Sequence, residues 1–151
     1  MTDTFRLVTK NMLKTRKALE AKRGKLGGLS GAHSKAAIVI HSWVMRNFRA
    51  EGGMHDDARL GWAPLAPSTI ASRLRRKKWP GKKLQVDGIL RMGFIPRGTQ
   101  RSGKVQNYVP YARYHEKGTK RMPMRKMFPS ERQAYDLIRP IFRDHVRVSI
   151  K

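Results

Sequence analysis

His115 and Glu116 stand side by side in the run Val109-Pro110-Tyr111-Ala112-Arg113-Tyr114-His115-Glu116-Lys117-Gly118-Thr119. An imidazole beside a carboxylate, among aromatics, has the residue types of an acid/base site, a metal site or a base-stacking surface. Read as a strand, the run sends His115 and Glu116 to opposite faces while Tyr111 and His115 share one. The five histidines, His33, His41, His55, His115 and His145, never fall at the four-residue spacing of a helical zinc pair. His55-Asp56-Asp57 is a ligand-bearing loop with no second cluster to complete it. Cysteine is absent, which excludes disulfides, thiolate zinc sites and cysteine nucleophiles. There is no GxSxG elbow, glycine-rich phosphate loop or DxD carboxylate set. The expectation is a chain with no catalytic residue, metal ligand or cofactor, in which this run closes a core. His115 is then expected to satisfy a hydrogen bond near the glycine turn or at a subunit interface.

The remaining chemistry is cationic. Thirty-four Lys and Arg oppose ten Asp and Glu in 151 residues, a formal charge of +24. Residues 1–50, 51–100 and 101–151 carry eleven, ten and thirteen of the cations, so this is not a neutral domain with one basic tail. Such a chain repels itself and favours an anionic partner, either nucleic acid or an acidic subunit. The densest block is Arg75, Arg76, Lys77, Lys78, Lys82 and Lys83, with Trp79-Pro80-Gly81 turning inside it. Arg97, Arg101 and Lys104 follow near an expected hairpin tip. These nine are candidate contacts to DNA phosphates or to an acidic neighbour. Without a finger, KH or RRM signature, any DNA contact is expected to be blind to sequence.

The elements that must position these groups form an α+β pattern. Residues 5–23 have high helix propensity but a thin apolar stripe, and Gly24 to Gly31 read as a hinge. Residues 1–32 are therefore expected to be a basic arm, and 33–151 a single α+β domain. In Ser34 to Ala50, Ala36, Ala37, Ile40, Trp43, Val44 and Phe48 recur on one helical face until Gly52-Gly53 stops it. A short helix capped by Ser68 or Thr69, with Ile70 and Leu74 as its buried pair, is expected to run to about Arg75. Leu84 to Tyr114 predicts an antiparallel sheet of three or four strands, its tip at Thr99–Lys104. Trp62, Tyr108, Tyr111 and Tyr114 are expected to pack that sheet on the long helix, with a stacking platform as the alternative. Ser130 with Gln133 is a capping box opening a last helix that Pro140 is expected to kink or split. No stretch approaches the ~18 apolar residues of a membrane span, and no apolar leader is visible, so a soluble protein made in a cytoplasm is expected.

Three segments, in this order, resemble a family: "GWAPLAPSTIASR" (Gly61 to Arg73), "LQVDGILRMGF" (Leu84 to Phe94) and "VPYARYHEKGTKRMPMRKMF" (Val109 to Phe128). Together they look like the Mu-like phage virion morphogenesis, or tail-completion, proteins of tailed bacteriophages. Trp62, Pro64, Leu65, Pro67 and Thr69 match the family's first segment, and Asp87, Leu90 and Arg91 its second. Val109, Tyr111, Ala112, His115 and Gly118 match the third, and Pro123, Arg125 and Phe128 the last. The basic arm and glycine hinge replace the family's short N-terminal strand, and Asp-Gly-Ile-Leu-Arg-Met departs from its second motif.

The resemblance implies a non-enzymatic virion protein at the head–tail junction. It implies a homo-oligomeric ring, often a hexamer, around the DNA channel. Its neighbours would be connector, tail-terminator or tail-tube proteins, with non-specific contact to genomic DNA and none to a membrane. A standalone basic nucleic-acid-binding module is the alternative, with a small nuclease third.

Overall fold

The computed structural model describes residues 28–55 and 61–150. The arm expected at 5–23, the glycines Gly24 and Gly27, and Asp56 and Asp57 lie outside the described residues.

Helix α1, Ser30–Arg49, is the central element. Its buried face is Ala32, Ala36, Ala37, Trp43, Val44, Asn47 and Phe48, the predicted periodic stripe with Ala32 and the polar Asn47 added and Ile40 only half-buried. The helix begins inside the expected glycine hinge, so Gly31 is helical. It ends where Glu51 and Gly52 turn to positive φ, 49° and 92°, and Gly52 N–H bonds back to the Asn47 carbonyl at 3.0 Å. Asn47 is fully buried. Its Nδ2 donates to the carbonyls of Lys126 (3.1 Å) and Met127 (3.4 Å), and its Oδ1 accepts the Met54 N–H at 3.3 Å. The Lys126 carbonyl also accepts Trp62 Nε1–H at 2.8 Å and lies 3.2 Å from His55 Nε2. One carbonyl of a late segment thus gathers three side chains from the end of α1 and the chain just after it.

Strands β1, Phe94–Gly98, and β2, Gly103–Asn107, form an antiparallel hairpin. Its tip is where glycine and serine predict it, with Thr99 N–H bonded to the Ser102 carbonyl at 2.8 Å. The hairpin runs along α1, its base at Phe94 against Phe48 and its tip against His33 and Ser34. A Cβ on Gly98 would stand 2.2 Å from Ser34 Oγ, so only glycine allows that approach. Among the described residues the sheet has two strands, fewer than the three or four expected.

Both missing strands have local causes. In "KLQVDG" Leu84 takes φ 57° and the chain turns repeatedly instead of extending. Ile89–Met92 then forms a one-turn helix, α3, ahead of β1. The "VPYARYHEKG" run also coils. Pro110 carries no amide hydrogen for a ladder, the Ala-Arg-Tyr-His-Glu-Lys that follows favours helix, and Gly118 ends it at φ 73°. The product is helix α4, Ala112–Lys117.

Helix α2, Pro67–Arg75, starts on Pro67, and neither Ser68 nor Thr69 caps it. Leu74 is 55% exposed while Arg73 is 2% exposed, so a cation takes the inward position predicted for the Ile70–Leu74 pair. Helix α5, Glu131–Ile150, opens with the predicted capping box: Ser130 Oγ accepts Gln133 N–H, and Gln133 Oε1 accepts Ser130 N–H, both at 3.2 Å. It runs through Pro140 without splitting and packs on α1, where the Phe142 ring meets His33 edge-on at 5.5 Å. The core is Trp43, Val44, Phe48, Trp62, Leu90, Phe94, Val109, Ala112 and Met127. Phe48 is its hub, edge-on to Trp62 at 5.1 Å and to Phe94 at 5.7 Å.

Candidate functional site

A groove of about 710 Å³ opens beside this core, and its walls come from all four motif segments. Pro64, Leu65, Pro67 and Thr69 line it from the start of α2, and Asp87 and Leu90 from the turn into α3. Tyr111 and His115 line it from α4, and Pro123 and Arg125 from the stretch before α5. Trp62 and Phe128 lie behind it with the core, Trp62 buried and Phe128 packed at its edge. Gly118, at φ 73°, brings its backbone so near Met124 that an added Cβ would stand 2.9 Å from the Met124 nitrogen.

The His-Glu pair divides its work here. Glu116 accepts the Met127 N–H at 2.6 Å, pinning the last wall to α4. Burial pushes its carboxyl upward, against the downward pull of the Met127 and Phe128 amides. His115 stands four residues from Tyr111, and their rings meet edge-on at 6.0 Å. Its Nδ1 is buried without a hydrogen-bond partner among the described residues, in contrast to the satisfied histidine expected. Burial, and then the Arg125 guanidinium, holds its pKa below the ordinary 6.5, so the ring is neutral at pH 7. Glu116 is thus committed to a backbone amide while His115 faces the groove.

Two buried guanidiniums serve the groove. Arg125 is 5% exposed and donates to the carbonyls of Ala63 (3.3 Å) and Pro64 (3.0 Å). Burial lowers its pKa. Arg73 donates through Nη1 to Gly81 and Lys82 carbonyls, both at 3.1 Å, while its buried Nε–H has no acceptor among the described residues. Neither has a carboxylate within ion-pair distance among the described residues. The sequence suggests Ile70 and Leu74 as the buried pair of this helix and no inward role for Arg73. Its only signal was an Arg three residues after Ile70, too weak to separate it from Arg75 and Arg76.

The nine candidate cations divide into three groups. Lys82 Nζ donates to the Arg49 carbonyl at the end of α1 (3.0 Å), and Lys83 Nζ to the Trp62 carbonyl (2.8 Å) with Glu51 at 3.4 Å. Lys78 pairs with Asp87, whose carboxyl is held below its usual range chiefly by that bond. Arg75, Arg76 and Lys77 are exposed beside Trp79, itself 38% exposed. Arg97, Arg101 and Lys104 are exposed on the hairpin, at the other end of α1. The helix rises roughly 22 Å from Ser34, which the hairpin tip touches, to Arg49, whose carbonyl Lys82 reaches. Tyr108, Tyr111 and Tyr114 are 65%, 45% and 43% exposed, so of the four aromatics only Trp62 packs inside as expected.

No protein-family model matches the chain, and neither does any curated protein or solved structure. Among the described residues no group of three or more His, Asp or Glu is placed to hold a metal ion. Among them, too, no helix is long and apolar enough to cross a membrane.

Proposed function

We propose that this chain is a structural virion protein of a tailed bacteriophage, which completes the tail or joins it to the head as one subunit of a ring around the DNA channel. The observation that carries the reading is the convergence of the four motif segments on one groove, since segments spread in sequence from Pro64 to Arg125 line a common surface. A hexameric ring, set between connector and tail-terminator or tail-tube proteins, is the form that the resemblance favours. The protein then acts without catalysis or cofactor, in the virion neck, after assembly in the host cytoplasm. The exposed cations supply sequence-blind contact with the genome end.

Native mass spectrometry with and without duplex DNA tests this. Defined rings, or co-assembly with connector proteins, support it. A strict monomer that binds DNA at nanomolar strength in physiological salt overturns it. That result would favour the second reading, a standalone nucleic-acid module, for which the solvent-facing Arg75, Arg76 and Lys77 beside Trp79 speak.

A further inference from the structure

The groove has a mismatch between its walls and its floor. Leu65, Leu84, Val86, Ile89 and Met122 make the walls largely apolar. Arg73 and Arg125, both at least nine-tenths buried, stand among them with, among the described residues, only backbone carbonyls as partners. A buried cation without an opposite charge is costly, and the cost falls when an anion arrives. The N-terminal turn of α2 lines the same groove, with no side-chain cap and no acidic residue, and although the Thr69 and Ile70 amides are taken by the Ala66 carbonyl, the positive end of the helix dipole there also favours negative charge. The acid in the lining, Asp87, is engaged by Lys78.

We infer that this groove binds a short apolar segment of an acidic partner protein, with one of its carboxylates entering between Arg73 and Arg125. Charge chooses the occupant. Residues 1–27 of this chain carry eight Lys and Arg against two acids, so they would bring cations to cations. A second copy is nearly as poor a donor, with ten acids in 151 residues and Glu51, Asp87 and Glu116 already engaged. A nucleic-acid backbone offers phosphate but no apolar side chains to cover Leu84, Val86 and Ile89. A protein segment supplies both. The inference rests on the assembly reading only in taking the partner to be a neighbour in the virion.

The test uses the full chain, immobilised, against a displayed library of random dodecapeptides. The best binder is then titrated by fluorescence polarisation. The selected pool should be rich in Asp or Glu flanked by Leu, Ile or Pro. Arg73 also braces the loop at Gly81, so its loss risks unfolding, and the rim variants Ile89→Glu and Arg121→Glu are used instead. Each should weaken the peptide about tenfold or more, as like charges across an interface do, while Arg97→Glu on the hairpin leaves it unchanged. A pool without acidic enrichment, no binders at all, or binding indifferent to Ile89→Glu would overturn the inference. Displacement of the peptide by duplex DNA, with DNA binding abolished in Ile89→Glu, would overturn it too and make the groove a phosphate site. If groove variants lose the peptide yet still complete tails, the partner is not the virion neighbour inferred here, and that assignment is overturned while the assembly reading stands.

Discussion

Asn47 allows a sharp test of how the groove's last wall is held. It is fully buried and makes one hydrogen bond of ordinary length, to the Lys126 carbonyl, and two long ones, to Met127 and Met54. Asn47→Ala removes all three and leaves the Met54 amide without its acceptor. At about 1 kcal/mol for the good bond, less for each long one, and about 1 kcal/mol for the stranded amide, the cost is roughly 2–3 kcal/mol. Asn47→Asp is nearly the same shape, but it turns a carboxylate oxygen toward two carbonyl oxygens. An uncompensated buried charge costs about 3–5 kcal/mol, so the acid should be worse than the truncation at pH 7. The aspartate's pKa would be raised in the folded state, so its penalty is greatest above that raised value. It shrinks as pH falls toward the unfolded value of about 3.9, when the protonated acid regains a donor. Urea unfolding followed by the fluorescence of buried Trp43 and Trp62 reads both variants. At a slope of about 1–3 kcal/mol per molar, Asn47→Ala lowers the midpoint by about 1–2 M and Asn47→Asp by more. If Asn47→Asp is no less stable than Asn47→Ala at pH 7, or its deficit does not narrow at pH 4–5, the described geometry around Lys126 is wrong.

Three further predictions address other parts of the molecule. Gly52→Ala should destabilise by about 2–4 kcal/mol in thermal unfolding, because its φ is +92° and the new Cβ would stand 2.4 Å from the Trp62 ring. His115→Gln should remove a pH dependence. The folded pKa is depressed, so the unfolded chain binds the proton first, and wild-type stability relative to the variant should fall as pH drops below 6.5, measured by urea titration at several pH values. Reversing Arg75, Arg76 and Lys77 to Glu should leave the unfolding midpoint nearly unchanged. It should also reduce the salt slope of duplex DNA binding by roughly 2–3, near 0.9 for each phosphate no longer neutralised; an unaltered slope would mark the block as a solvated face.

The parts of the fold that announce themselves locally were legible in the chain. The stripe Ala36, Ala37, Trp43, Val44 and Phe48 gives α1, Ser130 with Gln133 gives the start of α5, and the glycine and serine around Arg101 give the hairpin tip. What failed depended on competition between local signals. Tyr111 to Lys117 alternates well enough to suggest a strand, yet Pro110 and the helix-favouring residues after it prevail. Pro140 is tolerated within α5, although its missing amide hydrogen and its ring would be expected to break a helix. What could not be read at all depended on distance. Asn47 and Arg73 look solvent-facing until the carbonyls of Lys126 and Gly81 arrive to partner them. The motif segments could be found one by one, but their meeting in one groove is a property of the folded chain.

The Lys126 carbonyl, drawing on Asn47, Trp62 and His55, has a consequence for the order of events in synthesis. Its partners lie 64 to 79 residues earlier, so the first half of the domain leaves the ribosome with those donors unmet. Pro123 and Arg125, which complete the groove, arrive with the same late segment. A chain cut short before that point therefore presents neither a closed core nor a surface for a partner to hold. Under the proposed docking, a partner that selects for the groove rejects chains truncated before this late segment.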